Sequence, residues 1–485
     1  MLRLGEQSLT IQDVVRVAVQ HEPVSLAPSV INRVQQAWEI TQACAQDGTP
    51  LYGITTGVGA LRDQTVAGEV QQQFNQRLLW SHSVASGEWS SVEAGRAALL
   101  CLLNQLSTGF APIRPQTLMV IVEALNTQIP LRFRLSGSIG ASDLAANADL
   151  VSPLFTTVPL YPGEGLILLN HTSPTIGLAS LAIWETQKLL RAGELVLATS
   201  LEAFGANLGA YHPAIAQARH SAMLASTMRR LTAHLEGSQL WNSGTARMLQ
   251  DPLSFRCGAQ LFSTAWESLA TATDYVIRWL NTYHGNPMVI PEERRLVSCG
   301  NFESADISTA LDYLRCALVP LLQASAERST KLLNSPWSGL PTGLTTVTTL
   351  PDSGYAILEI AAHALVTEAR TLAAPVALEP VSGAIAAGIE DRGSFALLAA
   401  RRLVEQLEIA WRIISIELLV SHHALLLRRP VRIGKSIQSL QNALLDEGIT
   451  QEVSDSPADQ LIRVRRCLHS WFDQSTEVPQ GTEGF

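Results

Sequence analysis

The sequence predicts a mainly α-helical protein, a mixed N-terminal domain followed by a bundle of long helices. Three observations carry this. Residues 395–428 run without a Gly or Pro, which at 1.5 Å per residue makes a helix roughly 50 Å long. Residues 356–373 place Ala, Leu and Glu at helical spacing, and Pro375 stops them. Residues 1–200, by contrast, are richer in Gly and Pro and hold short apolar runs such as LYGITTGVG and GLILLN.

Taken in order, residues 1–200 are expected to form helices with a few strands, and residues 201–485 the helical bundle. Two more long helices are expected at 259–281 and 305–333. The 395–428 segment is interrupted by Arg401, Arg402, Glu405, Glu408, Arg412 and Glu417. It is too polar to cross a membrane and too apolar for exposure, so it reads as a central helix wrapped by others, some of them from other subunits. Gly165 to Thr186 is almost uncharged, but Asn170, His171 and Pro174 mark a buried segment rather than a membrane span. The last ten residues read as a loose tail.

Composition excludes several classes. The 485 residues exceed what one core usually holds. A net charge of −9, with no basic run interleaved with aromatics, argues against nucleic acid. The six cysteines are scattered without a C-x-x-C pair, and Arg3, Glu6, Asp13 and Arg16 leave no signal-peptide core, so a cytoplasmic protein with reduced thiols is expected. No metal-ligand spacing, P-loop or dinucleotide fingerprint is present.

Six loop-like segments carry residues of catalytic type. Tyr52 lies beside three glycines in Tyr52-Gly-Ile-Thr-Thr-Gly-Val-Gly59; it reads as a phenol on a tight loop or as a core tyrosine in a turn. His82 ends an apolar helix face. Gly137-Ser-Ile-Gly-Ala-Ser142 permits an unusually tight fold, or a plain helix entry with Ser142 as N-cap and Asp143 in the first turn. Asn170 follows an apolar run. In Gln250-Asp-Pro-Leu253-Ser-Phe-Arg256 the arginine either clamps a carboxylate or pairs with Asp251. Glu390 sits in a charge run, Ile389 to Arg392.

In this order and spacing the segments resemble the histidine and phenylalanine ammonia-lyase superfamily, the aromatic amino acid lyases and aminomutases, over roughly residues 8–435. Gly165 to Thr172 looks like that family's GLALLNGT segment, and Gly300-Asn301-Phe302, Glu327-Arg328, Ser338 to Pro341 and Ser353-Gly354 are further matches. The resemblance implies the histidine ammonia-lyase fold and a carbon–nitrogen lyase or 2,3-aminomutase. It also implies a homotetramer whose sites are built from three chains, with Tyr52, Arg256 and Glu390 meeting only across subunits. It further implies the electrophile methylidene-imidazolone (MIO), cyclised from Ala141, Ser142 and the residue after them. Tyr52 is then the general base, Asn170 a partner of substrate or MIO, and Arg256 the carboxylate ligand, while Gln250 and Phe302 line the pocket. His82 and Glu390 imply a ring with a polar edge, imidazole or phenol, with Glu390 favouring imidazole. The ligand is an amino acid or its unsaturated acid, with no metal, nucleic acid or membrane.

The departures matter as much. The family reads Ala-Ser-Gly-Asp-Leu where this chain reads Ala141-Ser142-Asp143-Leu144, so Asp143 takes the third ring position and its carboxylate is expected to crowd the turn. Leu253 replaces a catalytic tyrosine, Thr55 an asparagine, and Gly388 to Asp391 an NQED pattern. An MIO-independent enzyme on the same scaffold in specialised metabolism, or a non-catalytic ligand-binding paralogue, are therefore the alternatives.

Overall fold

The computed structural model describes residues 1–347, 349–378, 385–451 and 455–474; the expected loose tail, the last ten residues, lies outside them. Helices dominate, and four long ones fall where the sequence sets them, Gly258–Leu280, Ala305–Leu333, Leu358–Leu372 and Ala396–Arg428, while the 32-residue helix Ser173–Phe204 was expected only as a buried segment. Each follows from uninterrupted helical periodicity between local stop signals. The two helical stretches apolar enough to span a membrane, Glu164–Phe204 and Ala396–Arg428, are mostly buried within the protein along their apolar 18-residue windows, 94% and 83%.

The chain forms two compact units, and they are not separated by one cut near residue 200. The first comprises Met1–Trp184, Thr271–Tyr313 and Pro375–Leu403; the second Glu185–Ala270, Leu314–Ala374 and Val404–Phe485. Most of these boundaries fall inside long helices, where no shift in composition marks them.

The first unit holds the strands of the described residues, in three two-stranded sheets. Leu2–Leu4 pairs in parallel with Val24–Leu26, Ser86–Trp89 antiparallel with Arg134–Ser136, and Met288–Ile290 antiparallel with Arg295–Val297. Its first helix, Ile11–Ala18, starts at a reciprocal cap in which Thr10 Oγ1 accepts from Asp13 N and Asp13 Oδ2 accepts from Thr10 N. The second unit is almost wholly helical. At its centre Arg328 donates to Glu417 through Nε at 2.5 Å and Nη2 at 2.8 Å, with both side chains at most 2% exposed. Ser200 Oγ adds a bond to Glu417 Oε1, and Arg328 Nη1 one to Ser254 O, so neither charge is left uncompensated.

Burial keeps several histidines neutral. It depresses His171 to about 3, and His234, His284 and His423 to about 4. The unfolded chain takes up these protons near pH 6.5. Between there and pH 4 the unfolded state therefore holds more protons, so stability is fully present above pH 6.5 and falls as pH falls. Each group contributes on the order of 1–3 kcal/mol. The thermal midpoint is expected to drop steeply from pH 7 to pH 4.5 at fixed ionic strength; a flat profile would show that these rings are solvated.

Candidate active site

A cavity of 890 Å³ opens in the first unit, lined by Tyr52, His82, Ala141, Asn170, Phe302 and Glu390 among others. Six of the residues singled out in the sequence thus converge within a single chain. Tyr52 and Glu390 share this cavity, which corrects the expectation that they meet only across subunits.

The tyrosine loop is closed by local bonds. Leu51 O accepts from the amides of Ile54, Thr55 and Thr56, and Leu51 N donates to Thr55 Oγ1 at 2.8 Å. Thr55 thereby holds the loop where asparagine is usual. Gly53 has φ +67°, and a Cβ there would meet Leu166 Cδ2 at 2.2 Å, so only glycine fits. The result aims the phenol back along its own loop, where Tyr52 OH accepts from Gly59 N at 3.0 Å. His82 ends the Gln71–His82 helix, and its Nδ1 lies 2.8 Å from Leu78 O. A carbonyl only accepts, so Nδ1 carries a proton, and in the neutral ring Nε2 is the acceptor.

The altered motif is tightly held. Gly140 and Ser142 both have positive φ, +85° and +60°, and Gly140 O accepts from Ser394 Oγ. Ser142 Oγ donates to Asn170 Oδ1, and Asn170 Nδ2 donates to Asn286 O at 2.9 Å. Asn170 therefore joins the motif to the cavity wall. Asp143 is fully buried. It occupies the N-cap position of the Leu144–Val151 helix, yet its side chain makes no cap bond there. Its carboxylate instead accepts from Thr175 N at 3.0 Å, Thr175 Oγ1 at 2.7 Å and Ser138 Oγ at 2.8 Å, at the start of the Ser173–Phe204 helix. This corrects both sequence readings of Asp143: its Oδ2 caps a helix some thirty residues away, while its Oδ1 accepts from Ser138 and braces the turn from outside the ring position. Burial pushes its pKa up, against the pull of the Thr175 and Ser138 bonds.

Glu390 makes no ion pair among the described residues, whereas neighbouring Arg392 pairs with Glu303. Asn286, Cys299, Glu303 and Arg77 also line the cavity and were not singled out in the sequence. Arg77 had a signal, its place five residues before His82 in the same helix. Gln250, Leu253 and Arg256 do not line this cavity. They belong to the second unit, where Leu253 is 62% exposed at the start of the short helix Leu253–Arg256. Arg256 does not pair with Asp251, whose Oδ2 accepts from Asn207 N, and its buried Nε has no partner.

A helical scaffold that buries a Gly-turned Ala-Ser motif beside a tyrosine loop defines a carbon–nitrogen lyase. The chain belongs to the aromatic amino acid lyase family, whose sequence profile matches residues 9–157 and 154–446. It is 32% identical over 466 residues to a histidine ammonia-lyase from Symbiobacterium thermophilum, covering 90% of each chain. Its fold is similar to that of an ergothionase from Treponema denticola, with TM-score 0.90, 24% identity, and 97% and 98% of the two chains covered. A tyrosine aminomutase from Streptomyces globisporus gives TM-score 0.90, 24% identity and 98% coverage of each chain.

Proposed function

We propose that this protein is a histidine ammonia-lyase-type enzyme, acting as a cytoplasmic homotetramer on an aromatic amino acid whose ring donates hydrogen bonds. The observation that carries the ring preference is the pair of polar groups in one cavity, the Glu390 carboxylate and the His82 ring, whose Nδ1 is engaged by Leu78 O and whose Nε2 accepts in the neutral form. An imidazolium ring offers an N–H to each of them, whereas a phenol offers one O–H, so histidine is favoured over tyrosine.

The residues present fit MIO. Ala141 faces the cavity, Ser142 sits in a left-handed turn with its hydroxyl bonded to Asn170, and the Asp143 side chain is withdrawn onto Thr175. When formed, that group supplies an electron sink that makes an amine a good leaving group. The remaining work falls to side chains. Tyr52 is read as the general base for the β-hydrogen, a reading supported by its place in the cavity lining and its bond from Gly59 N. Phe302 packs on the ring, and Asn170 holds the motif against the cavity wall.

The second unit's Arg256 is read as the carboxylate ligand, delivered with Gln250 and Leu253 to the cavity of a neighbouring copy. Its unpartnered Nε and the exposure of Leu249 and Leu253, 92% and 62%, support this. Arg256→Leu is expected to weaken binding of the amino acid by about 2–5 kcal/mol, because a carboxylate is left without its charged partner. Unchanged affinity by calorimetry would make Arg256 structural.

One observation favours an MIO-independent enzyme instead: Asp143 N, the nitrogen that would close the ring, donates to His171 O at 2.9 Å. The intact mass separates the two. A deficit of two waters, together with turnover of histidine, supports the electrophile; the unmodified mass with turnover supports the second reading.

A further inference from the structure

The Gln71–His82 helix presents Phe74, Arg77, Leu78, Ser81 and His82 to the cavity. Steps of three and four place them on one face, with Arg77 about 7.5 Å along the helix axis from His82. The other cavity arginines have carboxylates beside them: Arg392 pairs with Glu303, and Arg62 Nε lies 3.7 Å from Asp63. Arg77 meets none among the described residues. Its guanidinium instead lies 4.9 Å from the centroid of the exposed Trp80 ring. A guanidinium resting on an aromatic face keeps its in-plane N–H fork available for a bidentate acceptor. Glu390 is the matching anion without an ion pair. Among the described residues the chain therefore lines its cavity with one cation free of an ion pair, Arg77, and two such carboxylates, Glu390 and Asp391, groups that match the carboxylate and the ammonium of a substrate that carries both charges.

We infer that Arg77 is a carboxylate-recognising residue of this cavity, contributed by the same chain as Tyr52, His82 and Glu390. The carboxylate is borne either on the α-carbon, where Arg77 would share it with the Arg256 proposed above, or on the ring of the aryl substrate. The inference rests on reading the cavity as an aryl amino acid site; turnover tests that reading, and ligand titration tests this one.

The experiment titrates the tetrameric protein and its Arg77→Gln and Arg77→Lys variants with three probes. These are 4-hydroxycinnamate, its amide, and 4-carboxycinnamamide, which carries an acid on the ring only. Arg77 is exposed on a helix surface, and glutamine and lysine are comparable helix formers, so both variants are expected to fold. In Arg77→Gln one acid should bind roughly tenfold or more weakly, the scale of a lost charged hydrogen bond, while the amide is unchanged and Arg77→Lys recovers part of the loss. Loss confined to 4-hydroxycinnamate assigns the α-carboxylate, and loss confined to 4-carboxycinnamamide assigns a ring acid. If the protein turns over no amino acid yet binds an acid through Arg77, the proposed reaction fails and the carboxylate site stands. Equal affinity for acids and amide in the unsubstituted protein, no binding of any probe, or unchanged affinity in Arg77→Gln overturns the inference, whatever the turnover.

Discussion

Ser142→Ala is expected to give a protein of unmodified mass, in which turnover of histidine falls on the order of a thousandfold or more, the scale of losing a group that acts as a unit with its neighbours. The parent should lack the mass of two waters. The fold should survive. The substitution removes one hydroxyl that donates to Asn170 Oδ1, and leaving that buried carbonyl unbonded costs about 1–3 kcal/mol. Asn170 keeps its bond to Asn286 O, and Asp143 keeps Thr175 and Ser138. Stability measured beside activity therefore separates a lost electrophile from a collapsed loop. A Ser142→Ala protein as active as its parent would remove the electrophile from the mechanism. It would leave Tyr52, His82 and Glu390 to act without it.

The largest stability effect is expected at the centre of the second unit. Arg328→Leu leaves the Glu417 carboxylate buried with only the Ser200 hydroxyl to compensate it. Breaking such a pair costs about 3–5 kcal/mol. Combining Arg328→Leu with Glu417→Leu removes both charges and is expected to recover much of that loss, because two apolar side chains of similar volume need no compensation. Urea unfolding of the single and double variants measures this. Two equally destabilised proteins would show that Glu417 is not the source of the cost. Because Ser254 O also accepts from Arg328, some loss should remain in the double variant.

The sequence by itself determined the helices, since each depends on periodicity and end signals within its own residues. Leu358–Leu372 stops before Pro375, and Ala396–Arg428 runs through a stretch with no Gly or Pro to break it. It also determined the tyrosine loop as a tight glycine-rich turn, while the close approach of Leu166 that requires Gly53 came only with the tertiary structure. Family membership was legible for the same reason, being written in short segments of fixed order. The tertiary structure alone decided what those segments do to one another. The Asp143 carboxylate, next to Ser142 in the chain, is taken by Thr175 because the Ser173–Phe204 helix begins beside it with amides to satisfy. Arg77, not singled out in the sequence, joined the site only because its helix turns one face into the cavity. The interleaved units follow from long helices whose ends pack with different neighbours. Local sequence carries propensity and turn chemistry, while the partner of a buried charge is set by whatever the rest of the chain brings within hydrogen-bonding distance.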